Sequence, residues 1–204
     1  MSQYLAILPF ALVVVIILAT LIIMDWLNNR KIGSNLQQVA FSTGGTVTKE
    51  DGNYILKGTY NERDFTIYLK PRGMGKNKAL YYHIELESNC DLRLVSLKRY
   101  VKSRLEARVN EMHPIEIPDE DFNMVNKILT DDPEIGNKLV KSPVMIDVLK
   151  NIMEKYTEMR IKKDITLIKR YHVKLTEPEI LLSTLNQLSR MAYEIEKASN
   201  KIPA

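Results

Sequence analysis

The stretch from Tyr4 to Met24 contains no charged residue, and the first charge met after the N-terminus is Asp25. An α-helix rises about 1.5 Å per residue, so roughly 20 such residues span the ~30 Å hydrocarbon core of a bilayer. A helix that packs into a soluble core carries a polar face; Val13 to Leu18 is apolar without a break. Pro9 falls within the first two turns, where loss of one backbone donor is tolerated. Trp26 follows at headgroup depth, where an indole can keep one edge wet. A cleaved signal peptide requires a basic leader, a core of about 7–15 residues and a small-residue cleavage site. Met1-Ser2-Gln3 supplies no basic side chain, and Met24-Asp25-Trp26-Leu27 is no such site. The expectation is an uncleaved single-span anchor over residues 1–27, contacting lipid through residues 4–24.

Charge then suggests an orientation. Arg30 and Lys31 follow the run closely, and no Lys or Arg precedes it. The positive-inside rule places the C-terminal part in the cytoplasm. One cysteine, Cys90, provides no disulfide framework, in keeping with that side. Trp26, Arg30 and Lys31 are thus the expected membrane-interface residues. All 29 Lys and Arg, against 25 Asp and Glu in the whole chain, lie at or beyond Arg30, leaving the rest modestly basic. Without a long basic run or recognition motif, nucleic acid is not an expected partner.

Residues 28–45 read as a juxtamembrane linker or short helix, with Ile32, Leu36, Val39 and Ala40 at helical spacing before Gly44-Gly45. Residues 46–204 read as one soluble α+β domain, an antiparallel sheet packed by helices. Thr46 to Thr48 leads to Asp51-Gly52, a hairpin-turn pair tolerant of positive φ. Strands follow over residues 53–60, 64–69 and 79–87. In the last, Leu80, Tyr82, Ile84 and Leu86 take one face, and Tyr81, His83, Glu85 and Glu87 the other. Leu92 and Leu94 begin a strand that turns into a basic amphipathic helix, and residues 122–128 alternate as another strand. Asp131-Asp132-Pro133-Glu134 and Ser142-Pro143 carry helix-start signals. A second hairpin is expected over residues 161–168 and 171–175. Glu177-Pro178 opens a last helix with Leu181, Leu185, Leu188, Ala192 and Ile195 as its buried stripe.

The most distinctive local chemistry lies in Lys70 to Lys78. Glycines let backbone amides approach an anion, and Arg72, Gly73, Gly75, Lys76 and Lys78 could bind a phosphate or lipid headgroup. It is not a P-loop, since Asn77 stands where that motif needs Ser or Thr. His83, His113 and His172 have no second ligand at metal spacing, so neither a metal nor another cofactor is expected. Pro118-Asp119-Glu120-Asp121 lacks the spacing of a calcium loop, and Cys90 has no base beside it in sequence. No catalytic residues emerge. The expectation is a non-catalytic accessory or assembly protein, its α+β domain binding a protein partner in a membrane complex, with a homo-oligomer also possible. The alternative is a membrane-surface enzyme or sensor using the 70–78 loop on an anionic ligand.

Overall fold

The computed structural model describes residues 2–72, 79–100, 112–170 and 176–199. It begins with one helix, α1 (Ser2–Thr43), then β1 (Thr46–Glu50), β2 (Asn53–Tyr60), β3 (Arg63–Arg72), β4 (Ala79–Glu87) and β5 (Leu94–Lys98). Next come β6 (His113–Ile115), α2 (Glu120–Val125), β7 (Asn126–Thr130), α3 (Pro133–Leu139) and α4 (Pro143–Lys155). The chain ends with β8 (Glu158–Ile161), β9 (Asp164–Arg170) and α5 (Pro178–Ala198). The described strands form one nine-stranded sheet in the order β1-β2-β3-β4-β9-β8-β5-β7-β6. Every pairing in it is antiparallel. This is the expected architecture: an apolar N-terminal helix long enough to span a membrane, followed by an α+β domain.

The meander is set by turn chemistry. Asp51 and Gly52 have φ of 49° and 82°, and Asn61 and Glu62 have φ of 48° and 64°. Two consecutive positive φ values match the right-handed twist of flanking strands, which is why such turns close tight hairpins. The second is further tied down by Asn61 Nδ2, which donates to Ser189 Oγ on α5 at 3.2 Å.

One face of the sheet carries the core. Leu56, Ile67, Ile84, Leu167 and Met159 stand in one cross-strand row and are each fully buried. Over them lie α4, α5 and the second half of α1. The α5 stripe Leu181, Leu185, Leu188, Ala192 and Ile195 is completely buried, as its spacing requires. Ser142 caps α4 by accepting from Met145 N, and Met145, Val148, Leu149, Ile152 and Met153 form its inner face. Val144 and Ile146 are only partly buried against the same core.

Residues 28–43 continue α1 without a break. Ile32, Asn35, Leu36, Val39 and Ala40 are buried, following the i, i+3, i+4, i+7, i+8 pattern of an amphipathic helix. The helix stops where Gly44 takes φ of 66°. A Cβ on Gly45 would come within 2.7 Å of the Lys57 carbonyl oxygen, and one on Gly58 within 2.9 Å of the Gly45 Cα. Both glycines therefore let the helix end lie directly on β2.

Two local readings change. Residues 122–128 are not one strand: α2 covers the first part and β7 the second. Asp119 accepts from Phe122 N at 2.9 Å, and Glu120 and Asp121 occupy the first turn, where the helix dipole favours acids. The apparent alternation is accidental, since Met124 is exposed. The second hairpin is β8–β9, turning at Lys162-Lys163, so the stretch read as a single strand from Ile161 to Ile168 contains the turn. Residues 171–175, and the helix expected up to Asn110 beyond Tyr100, lie outside the described residues.

Candidate functional site

The membrane-facing end of the domain can be located from α1 and the strand registers. Leu12 to Met24 is exposed on every side, as a lipid-facing helix must be in the absence of lipid. Trp26 is also exposed, with the Arg30 guanidinium 5.5 Å from its ring centroid, a cation–π arrangement. Lys31 is exposed one residue before the buried face begins at Ile32. The three expected interface residues therefore fill the short interval between the apolar span and the folded domain.

Gly33 sits against Tyr54 of β2, so closely that a Cβ there would lie 2.7 Å from the ring. Gly45, further along the helix, lies against Lys57 and Leu56. Thus β2 begins toward the apolar span and runs away from it. By register, the end of β3, the start of β4 and the end of β9 share that near end. Lys49 pairs with Tyr54, and its ammonium lies 5.3 Å from the Tyr54 ring centroid. Lys70 stands opposite Tyr81, which stands opposite Arg170, with both basic side chains exposed. Lys169, one row in, has its pKa lowered by burial and by the nearby charge of Lys98.

Of the anion-binding residues read from sequence, Arg72 closes β3 opposite Ala79 at this same end. Gly73, Gly75, Lys76 and Lys78 lie outside the described residues. Lys49, Lys169 and Arg170 were not singled out from sequence. Only strand pairing brings them to the same end of the sheet as Lys70, with Lys49 and Lys169 on the helix-packed face and Lys70 and Arg170 on the other.

Several of the other candidates take part in structural contacts, while His172 lies outside the described residues. His83 is buried on the sheet face opposite the helices, stacked on Tyr68 with ring centroids 4.9 Å apart, and Tyr68 donates to Glu85 at 2.6 Å. Cys90 is buried, its thiol donating to the Lys162 carbonyl at 3.1 Å. Asp119 caps α2 and pairs with Lys150; hydrogen bonds from Lys150 and Phe122 N hold its carboxyl below the usual range. Asp132 caps α3 by accepting from Glu134 N and Ile135 N. One buried charge pair was not legible in sequence: Arg63 grips Glu196 of α5 through two 2.6 Å bonds. Glu196 also accepts from Asn89 N at 2.9 Å, locking β3 and the end of β4 to α5. Burial pushes Tyr156 up to about 12, in keeping with a core phenol beside Thr184. Among the described residues no group of His, Cys, Asp and Glu is placed to hold a metal.

No family model matches this sequence, and no curated protein is similar to it. A solved structure does share the fold. The crystal structure of the mycobacterial trehalose monomycolate transport factor A, TtfA, superimposes with a TM-score of 0.53. The match covers 85% of this chain and 97% of that one at 11% identity. At that identity the likeness concerns the fold alone.

Proposed function

We propose that this chain is a non-catalytic accessory or assembly component of a membrane complex, its α+β domain binding a protein partner beside the bilayer. The observation that carries the reading is the construction of α1. The apolar span and a core helix of the domain are one continuous helix, so the domain is held at a set height and orientation. That suits presentation of a surface to a membrane-embedded partner. It is not needed by an enzyme acting on a diffusing substrate. The fold-sharing protein, a trehalose monomycolate transport factor, is likewise named as a factor serving transport. Arg30 and Lys31 on the domain side of the span favour a cytoplasmic domain.

The test is gentle detergent extraction of the full chain from its native membrane, followed by sizing and mass spectrometry. Co-migration with a stoichiometric membrane-protein partner is the expected result. Migration as a lone monomer or homo-oligomer at several detergent strengths would overturn the accessory role. Protease protection of sealed vesicles checks the orientation separately.

A further inference from the structure

We propose that the near end of the sheet is an electrostatic foot, docking on anionic headgroups of the same bilayer that α1 crosses. This goes beyond partner binding and shares with it only the membrane span.

Three observations meet here. The first is height. From Met24, the end of the apolar run, to Ile32, the first buried contact, the helix rises only about 12 Å. The headgroup layer occupies roughly 5–7 Å of that on each side of a bilayer. Beyond the row containing Tyr54 and Leu69, β3 advances to Arg72, about 10 Å at ~3.3 Å per residue. The strand ends therefore lie within about one Debye length, 8–10 Å, of the headgroup layer.

The second is charge. Lys49, Lys70, Lys169 and Arg170 gather at the near end, below them Arg30 and Lys31 on the helix. The acids there are Glu50 and Asp51 on the outer hairpin and Glu177 and Glu179 at the start of α5. At the far end Glu87 directly opposes Asp164, with Glu62 and Asp64 beside them; the cations there are Lys162 and Lys163 in the β8–β9 turn and Arg63, which is paired with Glu196. With Arg30 and Lys31 counted, six cations face four acids at the near end, whereas at the far end Glu62, Asp64, Glu87, Asp164 and Glu196 outnumber Arg63, Lys162 and Lys163. The foot comprises β1–β4 and β9; next to it on β8, Glu158 stands opposite Ile168 and is paired with Arg160, and Lys98 of β5 lies near Lys169.

The third is composition. The row Lys70–Tyr81–Arg170 flanks a tyrosine with two exposed cations. Tyrosine is favoured at headgroup depth because its ring is apolar and its hydroxyl wet. Desolvation and Lys98 disfavour the charged form of Lys169, which an anionic headgroup would relieve.

The experiment uses the full chain in nanodiscs of phosphatidylcholine alone or with about 30% phosphatidylglycerol. In a Cys90→Ser background, a fluorophore is placed at Asn53→Cys, near the foot, or at Lys163→Cys, at the far end. Quenching by nitroxide-headgroup lipid is then read. The near label is expected to quench more in anionic than in neutral discs, and to lose the difference at about 0.5 M salt. Charge reversals Lys49→Glu, Lys70→Glu and Arg170→Glu should each shift docking by at least roughly fivefold, the value of one basic residue near an anionic surface. The far label should not respond. Equal quenching in both lipids, or indifference to salt, would overturn the foot. Hydrogen exchange of the unaltered chain in the two lipids gives the same decision if a variant misfolds: greater protection at the near end in anionic discs supports docking, and equal protection refutes it. Partner co-migration is measured apart, so loss of one reading leaves the other standing.

Discussion

The two halves of α1 obey different solvents while sharing one backbone. From Leu12 to Met24 every residue is apolar or small and exposed all round. From Ile32 to Ala40 the helix buries one stripe and presents polar residues such as Ser34, Gln37 and Gln38 outward. The first half has no stripe because lipid surrounds it evenly; the second has one because the domain touches it on one side. The comparison shows that helical periodicity reports what covers a helix. Its absence over a long apolar run is as informative as its presence.

Substitutions at matched positions can break that comparison. Leu36→Ala empties a fully packed site between α1 and the sheet, and should cost about 2–5 kcal/mol in denaturant unfolding of the full chain in mild detergent. Ile17→Ala, on the lipid-facing half, should leave that unfolding unchanged. Equal losses at the two sites would mean that the first half also packs on the domain.

Leu18→Arg tests the opposite half, at a cost of about 2.5–3.5 kcal/mol for insertion at mid-span. Carbonate-resistant membrane association should fall while the unfolding midpoint of the domain holds. A fall in both would couple the halves more tightly than their burial indicates.

Gly45→Ala sharpens the boundary where the second half hands over to the sheet. The added methyl meets the Lys57 carbonyl, a backbone atom that cannot swing aside, so a loss of about 1–3 kcal/mol is expected by thermal unfolding. Gly52→Ala provides the contrast, since nothing lies within 4 Å of its Cβ and only its positive φ opposes the change.

The smallest effect concerns acid stability, far from both halves of α1. The folded-state pKa of Asp119 is depressed, first by the hydrogen bond from Lys150. Its contribution is present above the unfolded carboxylate value of about 4 and fades as pH falls through the lower folded value. Asp119→Asn should therefore flatten the acid limb of the stability profile slightly, without altering the response of Leu36→Ala. A changed Leu36→Ala response would link α2 to the helix–sheet contact.

Much of the fold was legible because its signals are local. The Asp51-Gly52 turn, the alternation of residues 79–87 and the α5 stripe each state their environment within a few residues. The break between α2 and β7 was missed because Asp119-Glu120-Asp121 serves as a cap and first turn, a role hidden by accidental alternation after it. For the candidate site, Arg30, Lys31 and Trp26 were visible beside the apolar run. Arg72 was visible only as part of a glycine-rich loop. Lys49, Lys169 and Arg170 carry no local mark, being ordinary charges on strands far apart in the chain.

The sequence by itself determined that one segment must leave water for lipid, that an antiparallel meander follows, and which faces of the later helices turn inward. These are consequences of hydrophobic period and turn chemistry, which act over a few residues. Only the tertiary structure decided that residues 28–43 join the span to the core as one helix, that Arg63 reaches Glu196, and that cations from separate strands collect at one end of the sheet. Those outcomes depend on strand register and on which surfaces meet. Register is fixed by the burial of a whole face at once, a cooperative property that no local stretch of sequence contains.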